Sequence, residues 1–476
     1  MTFTFRMSCL CATIAISFCA GPVNAQQFPS KPPAPGPVRV ANFPPFKESR
    51  LSNGLRLVVV ERHNAPVVSL SLSVPAGQSR DTNGRNGLAQ LVSSVLEKGA
   101  GNRSADEIAA TLDRMGASIG SSVDMDYLTV FGTSLTTAAP QLFEIFADVV
   151  ARPTFPEKEI ELSRSTLLAG LQNAMNQPAT MAALTLASAI YSNHPYGAPL
   201  LPETVQGLKR ADVVAFHRDN FRPDGALLVV SGDIDQPTAT ALAERVFAAW
   251  TGRARPVALP APTPRKTFEI LLVNRPGSVQ STLLFGNPTA LPTDPYRIPS
   301  TVMERIVGGG PTARLFNILR EKHGWTYGAY ANLAWPSGTG YITASADVRT
   351  EVTDSAAAVL MQELKRMHSE PVSERELVEA RDALNGIFPL KVQTAEHVAA
   401  QVRSMKLQGL PDSWLPSYRT RIAAVTAADV QAVARKYIRP DNGVLVVVGD
   451  AGKIIEGLRK VGPVRTVDIF GKDVDL

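Results

Sequence analysis

The residues best spaced to do chemistry lie on one predicted helix. The stretch from Gly87 to Gly99 has apolar residues at helical spacing, and its opposite face presents Gln90, Ser93 and Ser94. Positions i, i+3 and i+4 of a helix share a face, so these three side chains could meet one ligand. An amide and two hydroxyls are poor ligands for zinc, which binds imidazole well. We therefore predict an amphipathic helix whose polar face does not bind zinc.

The histidines provide no substitute zinc site. No two of them stand four positions apart with a glutamate between them, as a zinc site on one helix requires. His194 precedes Pro195 and is expected to cap or pack, and His63 is expected to be solvated. The other four are His217, His323, His368 and His397.

The first 25 residues are predicted to be a secretory signal peptide. Arg6 precedes an apolar run, and Val23-Asn24-Ala25 offers small residues for cleavage. The run is shorter than the roughly 20 residues that span a bilayer. All three cysteines, Cys9, Cys11 and Cys19, lie in this segment. We therefore expect a cysteine-free mature chain in the periplasm of a Gram-negative bacterium, without a membrane span.

Charge and composition indicate a globular protein that does not bind nucleic acid. The chain of 476 residues has 45% hydrophobic and 19% charged residues, as globular proteins do. Its formal net charge is +5, and acidic residues are interspersed with the basic ones. A nucleic-acid binder usually concentrates basic charge on one face or arm.

An internal repeat organises the sequence. Ala211–Asp224 leads into Leu227–Asp233, and the same order returns 217 positions later, where Ala428–Asp441 leads into Val444–Asp450. Each copy is predicted to be a helix, a turn at Arg-Pro-Asp and a buried strand. The repeat indicates two homologous domains.

The predicted fold class is α+β, with two homologous domains that are each a mainly antiparallel sheet covered by helices. Strands such as Val67–Val74 and helices such as Glu157–Met175 occur in runs rather than in strict alternation. The predicted order is a signal peptide (1–25), a Pro-rich arm (26–45), a first domain (46–250), a linker (251–265) and a second domain (266–476).

Five motifs in order resemble the insulinase/pitrilysin family of zinc metallopeptidases, in its short bacterial two-domain branch. They are Leu51-Ser-Asn-Gly-Leu-Arg56, Gly87-Leu-Ala89, His194-Pro-Tyr-Gly197, Arg275-Pro-Gly-Ser-Val-Gln-Ser281 and Leu319-Arg-Glu-Lys-His-Gly-Trp-Thr-Tyr327. The resemblance covers nearly the whole mature chain. It implies that the two domains form half of a clamshell chamber.

The resemblance also shows what is replaced. In the family motif H-x-x-E-H, the positions of Gln90, Ser93 and Ser94 hold a metal ligand, a general base and a second ligand. The family's third ligand, a glutamate on a later helix, matches Gly170. With all four positions changed, the resemblance implies a degenerate zinc site and no metal in this chain.

A second set of residues is retained. Arg320 and Tyr327 follow Gly308-Gly-Gly310 and resemble the arginine–tyrosine pair that faces the zinc across the family's closed chamber. Such a pair would polarise a substrate carbonyl and stabilise the oxyanion. Taken without the resemblance, Arg320 is a solvated charge and Tyr327 a half-buried strand residue.

Some bacterial relatives divide the zinc helix and the pair between two subunits. The leading hypothesis is therefore a periplasmic, non-zinc-binding subunit of a heteromeric peptidase. Its expected substrates are unfolded peptides. A homologous zinc-bearing subunit would supply the metal and the activated water, and this chain would supply chamber wall, Arg320 and Tyr327. The alternative is a non-catalytic binding or assembly protein that kept the peptidase fold. An independent enzyme with another mechanism is a third reading, which no motif supports.

Overall fold

The computed structural model describes residues 43–81, 84–256 and 258–475. The predicted signal peptide and all but the last three positions of the predicted Pro-rich arm lie outside these ranges.

The strands fall into two large sheets and one small ribbon. In chain order they are β1 (Lys47–Arg50), β2 (Arg56–Glu61), β3 (Val67–Val74), β4 (Gly99–Ala100), β5 (Arg103–Ser104), β6 (Ser118–Val123), β7 (Leu128–Leu135), β8 (Leu227–Gly232), β9 (Glu269–Asn274), β10 (Gln280–Pro288), β11 (Thr326–Ala334), β12 (Tyr341–Arg349), β13 (Val444–Gly449) and β14 (Val464–Val467).

The helices follow and separate these strands. They are α1 (Leu88–Val95), α2 (Ala105–Met115), α3 (Ala139–Ala151), α4 (Glu157–Met175), α5 (Pro178–Ile190), α6 (Pro202–Gly207), α7 (Arg210–Asn220), α8 (Gln236–Phe247), α9 (Arg297–Gly308), α10 (Arg314–Phe316), α11 (Thr353–Ser369), α12 (Glu374–Ile387), α13 (Ala395–Leu407), α14 (Trp414–Ala424), α15 (Ala427–Tyr437) and α16 (Ala451–Leu458).

Each large sheet has six strands and is mainly antiparallel, which confirms the predicted fold class. The first sheet has the order β1-β2-β8-β3-β7-β6, and the second has the order β11-β12-β10-β13-β9-β14. Strand β2 pairs in parallel with β8, and β9 pairs in parallel with β13 and β14. The remaining neighbours in both sheets run antiparallel.

The sequence repeat corresponds to equivalent elements of the two halves. Helix α7 and strand β8 begin and end 217 positions before helix α15 and strand β13. Strand β8 lies between β2 and β3, and β13 lies between β9 and β10, so both copies occupy interior positions of their sheets. Their uninterrupted apolar runs are fully buried, as a strand covered on both faces requires.

The two halves exchange one helix each. Helix α5 of the first half packs on β10 and β13 of the second sheet, and α13 of the second half packs on β3 and β8 of the first. The exchanged helices are also 217 positions apart. Val58, Val229 and Val402 share one of the resulting apolar clusters, and Leu186 and Val446 share the other. Neither sheet is therefore covered on both faces by its own half.

None of the helices in the described ranges has the length and apolar character needed to cross a bilayer. The described residues of 251–265, which leave out position 257, form neither helix nor strand.

Candidate functional site

Helix α1 is held firmly at its N-terminus. The Asp81 carboxylate accepts hydrogen bonds from the backbone N–H of Gly87 at 2.7 Å and of Ala89 at 2.9 Å. Burial raises the pKa of Asp81 to about 6, although these hydrogen bonds act in the opposite direction. Gly87 has a φ of +99°, and a Cβ there would lie 2.4 Å from the Leu200 side chain, so glycine is required. The helix predicted to carry the degenerate zinc site is therefore fixed in place.

The two serines of this helix use their hydroxyls within the protein. Ser93 is 5% exposed, and its hydroxyl lies 3.0 Å from the Ser121 hydroxyl on β6. Ser121 in turn donates to the Ser93 carbonyl at 2.7 Å. Ser94 donates to the Leu91 carbonyl of the preceding turn at 2.8 Å. Gln90 is partly exposed on the same helix.

Gly170 lies in the exposed face of helix α4, which packs against α1. A Cβ added at Gly170 would meet no atom within 4 Å. A larger side chain would therefore fit at position 170, and the backbone conformation there does not require glycine.

These residues do not fit a zinc ion. Their donor set is one amide and two engaged hydroxyls, with no side chain at Gly170. Within residues 43–81, 84–256 and 258–475, no group of three or more His, Cys, Asp or Glu is placed to hold a metal.

The two histidines with a predicted role, His194 and His63, form hydrogen bonds within the protein. His194 Nδ1 accepts the Tyr196 backbone N–H at 3.0 Å and caps the short helix Pro195–Gly197. His63 is exposed, and its hydrogen bond to Asp233 at 2.7 Å raises its pKa. Capping at His194 and solvation at His63 agree with the sequence expectations.

Arg320 and Tyr327 are placed on the second half. Arg320 lies inside a π-helical turn, Asn317–Lys322. Its guanidinium stands 4.8 Å from the Phe316 ring centroid and 3.6 Å from a Glu321 carboxylate oxygen. Tyr327 is on β11 at the edge of the second sheet and is 88% exposed.

The structure does not join these two residues to each other. Among the hydrogen bonds and ring contacts of the described residues, none connects Arg320 with Tyr327. The Tyr327 side chain is instead open to solvent, where a second molecule could reach it.

A cavity of about 910 Å³ lies between the two halves, and sequence reasoning did not locate it. Its walls come from the β6–β7 and β11–β12 connections, the end of α4, and the exchanged helices α5 and α13. Ala174 and Met175, at the end of α4, line this cavity. The sequence feature that could have indicated this cavity is the row of alanine residues in α5.

The halves are joined beside this cavity by a short polar network. The Tyr196 hydroxyl donates to the Asp126 carboxylate at 2.5 Å and accepts the Gly338 backbone N–H at 2.9 Å. Asp126 also accepts the Ser337 N–H at 2.6 Å. Tyr196 belongs to the His194-Pro-Tyr-Gly197 motif, so this motif ties the two halves together.

Comparison with known families decides the relationship. Residues 56–204 match the family described as "Insulinase (Peptidase family M16)", and residues 207–384 match the "Peptidase M16 inactive domain". The chain belongs to the insulinase family. The two matches follow each other along the chain, although the second already includes α7, β8 and α8 of the first half. The insulinase-family resemblance is confirmed.

Individual relatives are distant but extend over most of the chain. An uncharacterized zinc protease of Streptomyces coelicolor is 23% identical over 84% of this chain and 89% of its own. The uncharacterized zinc protease YmxG of Bacillus subtilis is 20% identical over 84% of this chain and 98% of its own. Those proteins are named for zinc, whereas the insulinase-type helix of this chain has the residues described above.

Solved structures share the fold. A peptidase M16 inactive domain from Pseudomonas fluorescens superposes with a TM-score of 0.80 at 24% identity, over 85% of this chain and 98% of that one. A protease from Helicobacter pylori has a TM-score of 0.79 at 17% identity, over 85% of this chain and 99% of that one. At such identities the likeness concerns the fold alone.

Proposed function

We propose that this insulinase-family chain is the zinc-free subunit of a heteromeric peptidase that acts in the periplasm. A homologous subunit with an intact H-x-x-E-H helix would bind the zinc ion and its activated water. This chain would supply half of the chamber and the residue pair Arg320 and Tyr327. The substrates would be unfolded peptides small enough to enter the chamber.

The observation that carries the proposal is the state of helix α1. Its N-terminus is held by Asp81 and its apolar face is buried, so the family scaffold is retained. The side chains at the ligand positions are Gln90, Ser93 and Ser94, and the two hydroxyls are bonded within the protein. A helix that keeps its position and packing without metal ligands suits a subunit whose partner does the chemistry.

The exposure of Tyr327 supports a role toward another molecule. Its ring stands free on an edge strand, and the Arg320 side chain is 46% exposed nearby in sequence. A guanidinium and a phenol presented to a substrate carbonyl would donate hydrogen bonds to the oxygen as negative charge develops on it. Neither residue lines the interior cavity, so both would act on the surface that faces the partner.

The domain organisation belongs to the same proposal. The first domain would comprise residues 46–250, the linker residues 251–265 and the second domain residues 266–476. Export would depend on a signal peptide formed by residues 1–25. Detection of the mature N-terminus in a periplasmic fraction by mass spectrometry tests this part separately.

A second candidate function is a non-catalytic binding or assembly protein. The contacts of Arg320 favour it, because its guanidinium is already engaged with Phe316 and Glu321 of its own chain. In that case the zinc-bearing partner would hydrolyse peptides equally well with or without Arg320.

The deciding experiment is reconstitution with the zinc-bearing chain. A quenched fluorescent peptide is hydrolysed by the partner alone, by this chain alone and by the mixture. We expect activity in the mixture only, and a loss of about 10²-fold in kcat/KM for Arg320→Ala and Tyr327→Phe. Zinc content is measured on each isolated chain.

Two variants serve as controls. Arg375→Ala removes a more exposed arginine that pairs with Glu379, and Tyr296→Phe removes another exposed phenol outside β11. Both should retain the activity of the mixture. Full activity of Arg320→Ala and Tyr327→Phe would transfer support to the assembly role, and zinc-dependent hydrolysis by this chain alone would overturn both readings.

A further inference from the structure

The cavity between the two halves is large enough for a ligand. Its volume of about 910 Å³ lies within the range of roughly 300–1,000 Å³ found for ligand sites in proteins. Tyr196, Asp126 and Gly338 close one side of it by hydrogen bonds between the halves. The cavity is therefore a preformed part of this chain and does not require a second subunit.

One wall of the cavity is apolar and recessed. Helix α5 lines it with Ala179, Ala183 and Ala187, which lie one turn apart on the same face of the helix. Leu171 and Met175 at the end of α4 extend this wall. Because the alanine side chains are short, the space beside α5 is left for an apolar group from elsewhere.

The other wall is polar and carries both signs of charge. The charged residues of the lining are Asp124, Asp126 and Arg403. The Arg403 guanidinium donates to the Ser71 hydroxyl at 2.8 Å and forms no ion pair with any carboxylate in the described part of the chain. Asp124 accepts the backbone N–H groups of Asp126 and Tyr127 at 2.8 Å.

This charge pattern distinguishes between ligand classes. A nucleotide or another phosphate ester needs an excess of cationic donors, whereas two of the three charges here are negative. A peptide main chain offers donors and acceptors together, which match carboxylates on one side and a guanidinium on the other. An apolar side chain of the same peptide would fill the recess along α5.

We propose that this cavity binds a segment of substrate peptide, with one large apolar side chain against Ala183 and the main chain beside Arg403. The inference rests on the proposed function, since it assumes that this chain handles unfolded peptides. It assigns to the zinc-free subunit a selection of substrates by apolar residues, at a place separate from Arg320 and Tyr327.

The test measures peptide binding by the isolated chain. The probe is a fluorescein-labelled decapeptide of glycine and serine with one central phenylalanine, and a second probe has serine in its place. We expect fluorescence anisotropy to show saturable binding of the phenylalanine peptide and at least about tenfold weaker binding of the serine peptide.

Bulky substitutions on α5 should fill the recess. Ala183→Trp and Ala179→Trp change exposed positions, so the fold should persist, and each should weaken binding of the phenylalanine peptide at least about tenfold. Ala110→Trp on α2 is the matched control, because Ala110 is exposed and outside the cavity. Thermal unfolding verifies that all three variants fold.

The outcomes separate this inference from the proposed function. Equal binding of both probes, no binding of either, or unchanged binding by both α5 variants would overturn the cavity assignment. If Ala183→Trp impairs peptide binding but the wild-type chain gains no peptidase activity with a zinc-bearing chain, the cavity assignment stands and the proposed function is refuted. Partner-dependent hydrolysis that Ala183→Trp does not alter would do the reverse.

Discussion

Gly286 on β10 lies directly beneath Leu186 of α5, so closely that a Cβ at Gly286 would stand 2.6 Å from the leucine Cδ2 atom. The strand belongs to the second half and the helix to the first. This approach is therefore one of the places where the exchange of helices is made possible by the absence of a side chain.

The first prediction follows from that contact. Gly286→Ala should lower the free energy of unfolding by about 1–3 kcal/mol, because the buried Leu186 side chain, or the helix that carries it, must shift. Urea denaturation followed by circular dichroism measures the change. The matched control is Gly386→Ala on α12, where a Cβ would meet nothing within 4 Å. Equal stability of Gly286→Ala and wild type would mean that the Leu186 side chain or α5 adjusts without cost.

A second prediction concerns the attempt to restore the family motif. Ser93→Glu places a carboxylate where the native hydroxyl is buried against Ser121, and should destabilise the protein by about 2–4 kcal/mol. Ser93→Ala should cost about 1 kcal/mol, since only the hydrogen bond is lost. Adding Ser121→Gly to Ser93→Glu should recover part of the loss, which a double-mutant cycle in urea would reveal. Independent effects of the two substitutions would contradict the packing argument.

The third prediction compares two helical glycines. Gly170→Ala should stabilise the protein by up to about 1 kcal/mol, because alanine favours the helix and its Cβ has open space. Gly308→Ala at the end of α9 should destabilise it, since a Cβ there would lie 2.0 Å from the Ala331 backbone nitrogen. Differential scanning calorimetry measures the change in stability of each variant. A destabilised Gly170→Ala would show that the position is constrained after all.

The fourth prediction is a pH dependence of stability from His217. The ring packs between Phe155 and Phe221, with centroid distances of 5.5 Å and 4.3 Å, and its Nε2 lies 2.9 Å from the Val150 carbonyl. Burial lowers the pKa of His217 to about 4, a shift that the hydrogen bond to Val150 opposes.

Because the unfolded chain binds a proton near pH 6.5 and the folded chain only near pH 4, stability is retained above 6.5 and lost as the pH falls between them. The loss attributable to His217 should reach about 3 kcal/mol below pH 4. Urea unfolding at pH 7.5 and pH 4.5 measures it, and the dependence should shrink in His217→Phe. An identical dependence in wild type and variant would assign it to other groups.

Local patterns in the sequence predicted individual elements well. The predicted bounds of Glu157–Met175 and Val67–Val74 coincide with α4 and β3. Helical spacing in the first case and a bounded run of β-branched and alternating residues in the second specify the local backbone almost alone. The repeat likewise predicted α7, β8 and their second copies, because each combines a helix signal with a turn signal.

The element against which each apolar helix face packs could not be predicted from local patterns. The apolar positions of α5 and α13 indicate that each helix is covered, but they do not specify which sheet covers it. Only the assembled halves show that the two helices are exchanged. The cavity was missed for the same reason, since its walls come from segments of both halves that lie far apart in the sequence. The π-helical turn around Arg320 was also missed, because the spacing of its residues fits an ordinary helix equally well.

The exchange of α5 and α13 has a bearing on the order of synthesis. The strands of the first sheet are complete once Gly232 has left the ribosome, yet the helix that covers one of their faces ends only at Leu407. Until then Val58 and Val229 are uncovered on that side, and an incomplete chain would expose an apolar surface that can aggregate. The first sheet of this chain can thus be buried on both faces only after the residues up to Leu407 have been added, so the first half is not an independent folding unit.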